Sequence, residues 1–281
     1  MTAFRDVVSS APGGGLIQRL GPEAIPELMR LAADRRWGPE ERKWGLLAEV
    51  GEIYGLRAED GELIATATLT RYGDRLGAIS MVLVDSRHER RGLGGRMMTH
   101  LIDVADGAVL ALHATEFGRP LYERLGFVTT HQVTVYTGDY RAPGNAPVSR
   151  PASEADLPRI IALDEAAHGA ARIRLLTRYF PFATQVRIAE DGRSYAAAWR
   201  NTDSTIIGPV VAEDVATAAA LIDDVASRVS GPVRLEVSHP ELDGLAAERG
   251  LGVAFTNVHM VRGGPLPGRR ERVFTPVMLA L

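Results

Sequence analysis

Hydrophobic positions along this chain follow two alternating rhythms. Ile25, Leu28, Met29 and Leu31 recur at helical spacing within Pro22–Arg35, and a second helical stretch is predicted over Pro39–Val50. Both open on Gly-Pro, and proline fits the first turn of a helix. Strand-like runs follow at Glu52–Ala58, Leu63–Arg71 and Ala78–Val84, with Asp60-Gly61 as a tight-hairpin signal between the first two. Then come a helix over Leu93–Ala105, a strand over Val109–Leu112, a short helix over Arg119–Leu125 and a strand over Phe127–Tyr136. Strand, helix, strand in that order implies a parallel pair joined by a crossover, so the sheet should be mixed.

Asp139–Pro151 is rich in Pro, Gly and Asn, lacks either rhythm and reads as a linker. Beyond it the pattern restarts. Helices are predicted over Glu154–Ala167, Ala171–Tyr179, Ala212–Val229 and Pro240–Arg249. Strands are predicted over Gln185–Ala189, Ser194–Trp199, Thr205–Val211, Val233–Val237 and Leu251–Met260. The second half reads as a degenerate copy of the first. Setting Leu125-Gly126-Phe127 against Leu251-Gly252-Val253 brings Gly138 opposite Gly264, and Leu101-Ile102-Asp103 echoes Leu221-Ile222-Asp223. The expected division is an N-terminal domain over 1–140, a linker over 141–150 and a C-terminal domain over 151–281.

Composition narrows the classes. The 281 residues are 46% hydrophobic and 24% charged, ample for buried cores and unlike a disordered chain. With no cysteine, thiol catalysis, iron–sulfur clusters and Cys-based zinc sites are excluded. A net charge of −3 gives no expectation of nucleic-acid or anionic-membrane binding. Met1–Gly15 has no long apolar core before its Ala-Pro-Gly-Gly-Gly stretch, and no window suits a bilayer-crossing helix, so a cytoplasmic protein is expected.

The stretch that carries chemistry is Met81–Met98. An apolar strand ends at Val84, a turn holding Arg87, Arg90 and Arg91 follows, and Gly92, Gly94 and Gly95 open a helix. Backbone N–H groups at a helix start have no partners within the helix, and the helix dipole favours negative charge there. Glycine lets a ligand approach the backbone closely, so this is a device for holding a phosphate or diphosphate. A dinucleotide fold would need a small residue in place of Met97 and an acid some ~20 residues on, whereas Asp103 lies too near. A Walker loop would need Gly-Lys-Ser/Thr, which is missing. The histidines His88, His100, His131, His168, His239 and His259 show no metal-ligand spacing, so no metal is expected.

Glu89-Arg90-Arg91-Gly92-Leu93-Gly94 resembles the acetyl-CoA signature of the GCN5-related N-acetyltransferase (GNAT) superfamily, with Glu89 where that family has Gln or Arg. Some thirty residues on, Leu121-Tyr122-Glu123-Arg124-Leu125-Gly126-Phe127 is similar to its second hallmark, Leu-Tyr-x-x-x-Gly-Phe. The resemblance covers residues 16–138. It implies an α/β fold of two tandem GNAT-like domains, each a mostly antiparallel sheet with a central parallel strand pair flanked by helices. In the second, Glu213 and Asp214 replace the glycines, so one active site per chain is expected.

The resemblance implies acetyl-CoA held by Val82, Leu83 and Val84 on the strand, by Glu89, Arg90, Arg91, Gly92, Leu93, Gly94, Gly95 and Arg96 in the cradle, and by Thr115, Gly118 and Tyr122. It gives Tyr122 the role of acid toward the departing thiolate. His113 and Glu116 are the candidates for the base, each with a plain surface or capping role as the alternative. Trp37 lies in the helical region that borders the acceptor in the family. The leading expectation is an enzyme acetylating a primary amine of a small molecule by direct attack in a ternary complex, with room left for a homodimer. A protein-lysine or N-terminal acetyltransferase and a non-catalytic acyl-CoA-binding regulator stay open beside it.

Overall fold

The computed structural model describes residues 15–281, so residues 1–14, on which the reading against a signal peptide chiefly rests, lie outside it. Two compact units share the chain. One takes the described residues up to Leu69 and Met81–Asp106, the other Thr70–Ser80 and Gly107–Leu281.

In the first unit β1 (Ile17–Leu20) precedes helices α1 (Ile25–Asp34) and α2 (Glu41–Val50), and β2 (Glu52–Arg57) and β3 (Leu63–Tyr72) follow. β4 (Leu76–Val84) enters this unit at Met81 and leads to α3 (Leu93–Val104). Leu28, Leu31 and Ala32 of α1 are buried at the spacing of one helical face, as are Met97, Met98 and Leu101 of α3. β2 runs antiparallel between β1 and β3, with Ile53 opposite both Leu20 and Thr68. The expected hairpin closes where Ala58 N–H donates to the Glu62 carbonyl and Gly61 takes φ +89°.

The second unit adds β5 (Val109–Ala114), α4 (Arg119–Arg124), β6 (Val128–Gly138), β7 (Ser149–Pro151), α5 (Leu157–His168) and α6 (Ile173–Phe182). Then come β8 (Gln185–Ala189), β9 (Tyr195–Arg200), β10 (Thr205–Val211), α7 (Val215–Ala226), β11 (Val233–Val237), α8 (Asp243–Glu248), β12 (Gly252–Arg262) and β13 (Val273–Thr275). Starting from the first part of β4, the strands run β4-β5-β12-β6-β11-β10-β9-β8-β7, with β13 on β10. Two pairs are parallel: β4 with β5 from Leu76↔Val109 to Ala78↔Ala111, and β10 with β11 from Thr205↔Val233 to Ile207↔Leu235. α7 lies over β9 and β10, whose facing side chains include Ala196, Ala198 and Ile207, fully buried with Leu221 and Val225.

The two halves of the sequence exchange strands. β12, from the second half, lies between β5 and β6, and β6, from the first half, pairs with β11. The register carries the duplication: Gln132 faces Val258, the same separation as Leu125 and Leu251, and the pair Val133↔Asn257 maps onto His131↔His259. Three strands had no expected counterpart. β1, β7 and β13 are only 4, 3 and 3 residues long, too short for a period-two pattern to register, and β7 occupies the end of the expected linker.

Candidate active site

The turn between β4 and α3 is built by side chains of α1 and the turn itself. Buried Asp85 accepts from the Arg87 backbone N–H at 2.9 Å, from Arg87 Nε at 3.0 Å and from Arg30 at 3.1 Å. Its hydrogen bonds to Arg87, and then to Arg30, hold its carboxyl well below the usual carboxylate range against the cost of burial. Asp34 accepts from Ser86 N–H at 2.7 Å and from its hydroxyl at 2.8 Å. Glu89 is held by Arg35. The one departure from the acetyl-CoA signature is therefore a carboxylate paired with Arg35 at the end of α1, which lowers the repulsion a lone acid would offer to phosphate.

Arg90 (φ +60°) and Gly92 (φ +75°) then swing the chain into α3. Gly92 is the cap residue and has no side chain to bond the first-turn amides, so the N–H groups of the helix start stay open to an anion. Arg90 and Arg91 stand exposed beside them, and Arg96 is drawn aside to the Gly15 carbonyl at 2.7 Å. Upstream in β4, Met81 adopts φ +51°, a left-handed conformation that strains a side-chain-bearing residue within a strand. Val82 and Val84, beyond it, are half-buried and Leu83 is buried. Trp37 is half-buried with the Lys43 ammonium 5.9 Å from its ring centre, while Trp44 belongs to the core.

Tyr122 lies on α4 in the second unit. Its ring meets Phe127 edge-on, with centroids 6.1 Å apart, and burial pushes its hydroxyl up to about 12. A Cβ at Gly118 would come within 3.0 Å of that ring, so glycine is what lets the tyrosine lie there. Thr115 accepts from Gly118 N–H at 3.2 Å and shapes the turn before α4. Glu116 sits in the same turn, exposed, and does not line the cavity described next.

His113 does line it. This cavity of about 180 Å³ is lined in part by Leu76–Ile79 of β4 and Ala111–His113 of β5, where the parallel ladder ends. His113 Nδ1 lies 3.0 Å from the Leu279 carbonyl, so that nitrogen carries the proton and donates, leaving Nε2 as an acceptor. Burial brings His113 down to about 4 and His259 to about 2, so both are neutral near pH 7. His131 stacks on His259 at 4.7 Å, and Thr130 Oγ1 bridges their Nδ1 atoms at 3.0 and 2.7 Å. His131, His259, Tyr72, Arg172 and Arg270 were not candidates in the sequence. No local spacing unites them, since the exchange of β12 and the return of the chain after it are what gather them.

The second half closes the equivalent opening. Asp214 caps α7, accepting from Thr217 N–H at 2.8 Å, and that bond lowers its carboxyl. Glu213 beside it meets Arg193 at 2.7 Å and Arg272 at 3.4 Å. Where the β10–β11 ladder ends, β13 pairs antiparallel with β10 through Val210↔Thr275 and Val211↔Val273, and Ser238 N–H donates to Phe274 at 3.0 Å. Among the described residues no group of His, Asp or Glu is arranged to hold a metal, and no helix is long and apolar enough to cross a membrane.

Comparison with known proteins agrees with this duplicated layout. Residues 23–127 match the Acetyltransferase (GNAT) family and residues 160–275 the Acetyltransferase (GNAT) domain. The uncharacterised N-acetyltransferase YitH of Bacillus subtilis is 30% identical over 230 residues, covering 78% of this chain and 80% of YitH. A crystal structure from Pyrococcus horikoshii shares the fold over 100% of this chain and 99% of its own at TM-score 0.83 and 17% identity. A tandem GNAT protein from the clavulanic acid biosynthesis pathway does so over 89% and 99%, at TM-score 0.60 and 12% identity.

Proposed function

This chain belongs to the GNAT family of acetyltransferases, and from that premise we propose that it moves an acetyl group from acetyl-CoA to a primary amine of a small molecule, by direct attack in a ternary complex. The observation that carries this reading is the uncapped start of α3, with open amides and exposed Arg90 and Arg91, set against the capped start of α7. One site per chain, in the half over 1–140, follows.

In this reading the amides of Leu93, Gly94 and Gly95 with Arg90 and Arg91 take the diphosphate, and Val82 and Val84 bond the pantetheine arm through their backbones. Acetyl-CoA supplies a thioester carbon open to attack. The amine nitrogen forms the new C–N bond, the C–S bond breaks with its electron pair on sulfur, and the proton lost by nitrogen is balanced by the one the thiolate gains. Tyr122 is suited to give that proton, since a hydroxyl pushed up to about 12 stays protonated throughout the neutral range. His113, brought down to about 4, is too weak a base to deprotonate a free ammonium of pKa near ~10. Its free Nε2 instead orients the amine and accepts a proton only from the far more acidic adduct formed on attack. Thr115 and Gly118 position Tyr122, and Glu116 has no partner in this scheme.

The test is thiol release from acetyl-CoA across a panel of small amines, with lysine-containing peptides as competitors. Turnover of a small amine that Tyr122→Phe slows about 100-fold at unchanged CoA affinity is the expected result. Binding of CoA without turnover of any amine would return the regulator reading, and turnover of peptides alone the protein-acetylating one.

A further inference from the structure

We propose that the histidine-lined cavity binds the carboxylate of the acceptor, so that the amine substrate is an amino acid or a close relative, its carboxylate held by Arg270 and Tyr72. The inference rests on the transferase reading above and adds the acceptor's chemistry to it. Two arginines line the cavity, and they differ. Arg172 is fully engaged: its Nε and a terminal nitrogen hold both oxygens of buried Asp164 at 2.8 and 2.7 Å, and Tyr195 closes on the same carboxylate at 2.6 Å. Arg270 has no hydrogen bond or ion pair through its side chain to any described residue, and no aspartate or glutamate lines the cavity. Asp164 attracts the half-buried Arg270 guanidinium only across space, since its oxygens are bonded to Arg172 and Tyr195, and a bidentate carboxylate is the ligand the planar fork of Arg270 fits best.

Other observations point the same way. Burial lowers the proton affinity of His113, His131, His168 and His259, and the positive charge of Arg270 lowers it further, so the cavity disfavours an added cation. Buried Tyr72 lines the same cavity, and its hydroxyl reaches no hydrogen-bond acceptor. At about 180 Å³ the space exceeds the ~150 Å³ that admits benzene in an engineered cavity, so a small metabolite fits. Ala78–Ile79 and Ala111–His113 line the same cavity, and the free Nε2 of His113 is the acceptor available to the amine. Arg172 and Arg270 both come from the second half of the sequence, which gives the copy without a cradle a task of its own: reading the acceptor.

Matched sets decide this. Alanine, leucine and phenylalanine, each as free acid, amide and decarboxylated amine, are compared for kcat/KM with the full chain and acetyl-CoA, and the acids are titrated calorimetrically into the CoA-bound protein. In any set that turns over, the acid is expected to exceed its amide and amine by about 10- to 100-fold. Arg270→Gln should erase that preference mainly through KM, and Arg270→Lys restore part of it. Amide or amine used as well as the acid would overturn the inference while transfer itself stood. If no amine turns over, acids that bind wild type and not Arg270→Gln uphold the carboxylate site and remove the transferase reading, whereas absent acid binding overturns the site. Should Arg270→Gln fail to fold, the acid-to-amide ratio of the unaltered protein decides alone.

Discussion

Twice in this chain a strand makes a short parallel pairing and leads on to a helix, and the two helices begin in opposite ways. At α3 the cap is Gly92, with open amides and exposed arginines around it; at α7 the cap is Asp214, whose carboxylate already bonds the first-turn amide of Thr217. The strands differ as well. Past Ala78↔Ala111 the first pair borders a cavity, whereas past Ile207↔Leu235 the second receives β13 along β10. One copy is left with its polar groups unspent and the other spends them on its own chain. Duplication followed by filling of one opening accounts for two similar halves of which one keeps an open helix start.

Breaking the closed side has the largest expected effect. Phe274 is almost wholly buried among Leu235, Val237 and Leu242, so Phe274→Ala should cost about 3–5 kcal/mol in a denaturant titration. Calorimetry of that variant should still give one CoA per chain, because Glu213 and Asp214 remain at the helix start; two would show that the strand alone blocks the second site. On the open side, Gly94→Glu places a negative charge at the cradle and should weaken CoA binding about 100-fold or more with Tm nearly unchanged. Full affinity would move the diphosphate elsewhere.

Tyr122→Phe separates binding from chemistry, and pH sharpens it. A hydroxyl raised to about 12 keeps its proton well beyond the ordinary tyrosine range, so kcat should show no alkaline fall centred near ~10 that Tyr122→Phe removes. A fall of that kind would mean that Tyr122 titrates as an exposed phenol. The smallest effect is expected for Asp214→Ala, which removes a cap in the closed half: a slight drop in Tm by calorimetry with CoA affinity and turnover intact.

Much of the fold was legible because local rules agree with it. The Gly-Pro starts before α1 and α2, the Asp60-Gly61 hairpin, the parallel crossover of β4, α3 and β5, and even the offset that relates Leu125 to Leu251 all rest on neighbouring residues or on a repeat. The open helix start was legible for the same reason, since a strand end, arginines and glycines within one short turn are all local features. What the sequence placed only by resemblance was Tyr122, whose neighbourhood depends on the missing side chain of Gly118.

Pairing between distant strands belongs to the tertiary structure. β12 sits between β5 and β6, and β13 fills β10, because backbone hydrogen bonds and apolar faces are satisfied by whichever strand fits, and strands of 3 or 11 residues carry no label for their partner. That choice gathers His113, His131, His259, Tyr72 and Arg270 from remote parts of the chain into one cavity, and it leaves Arg270 without a bonded carboxylate while Asp164 holds Arg172. Local spacing determines which segments become helices, strands and a cradle. Only the folded sheet decides which charges are neutralised from within and which one is left for a ligand.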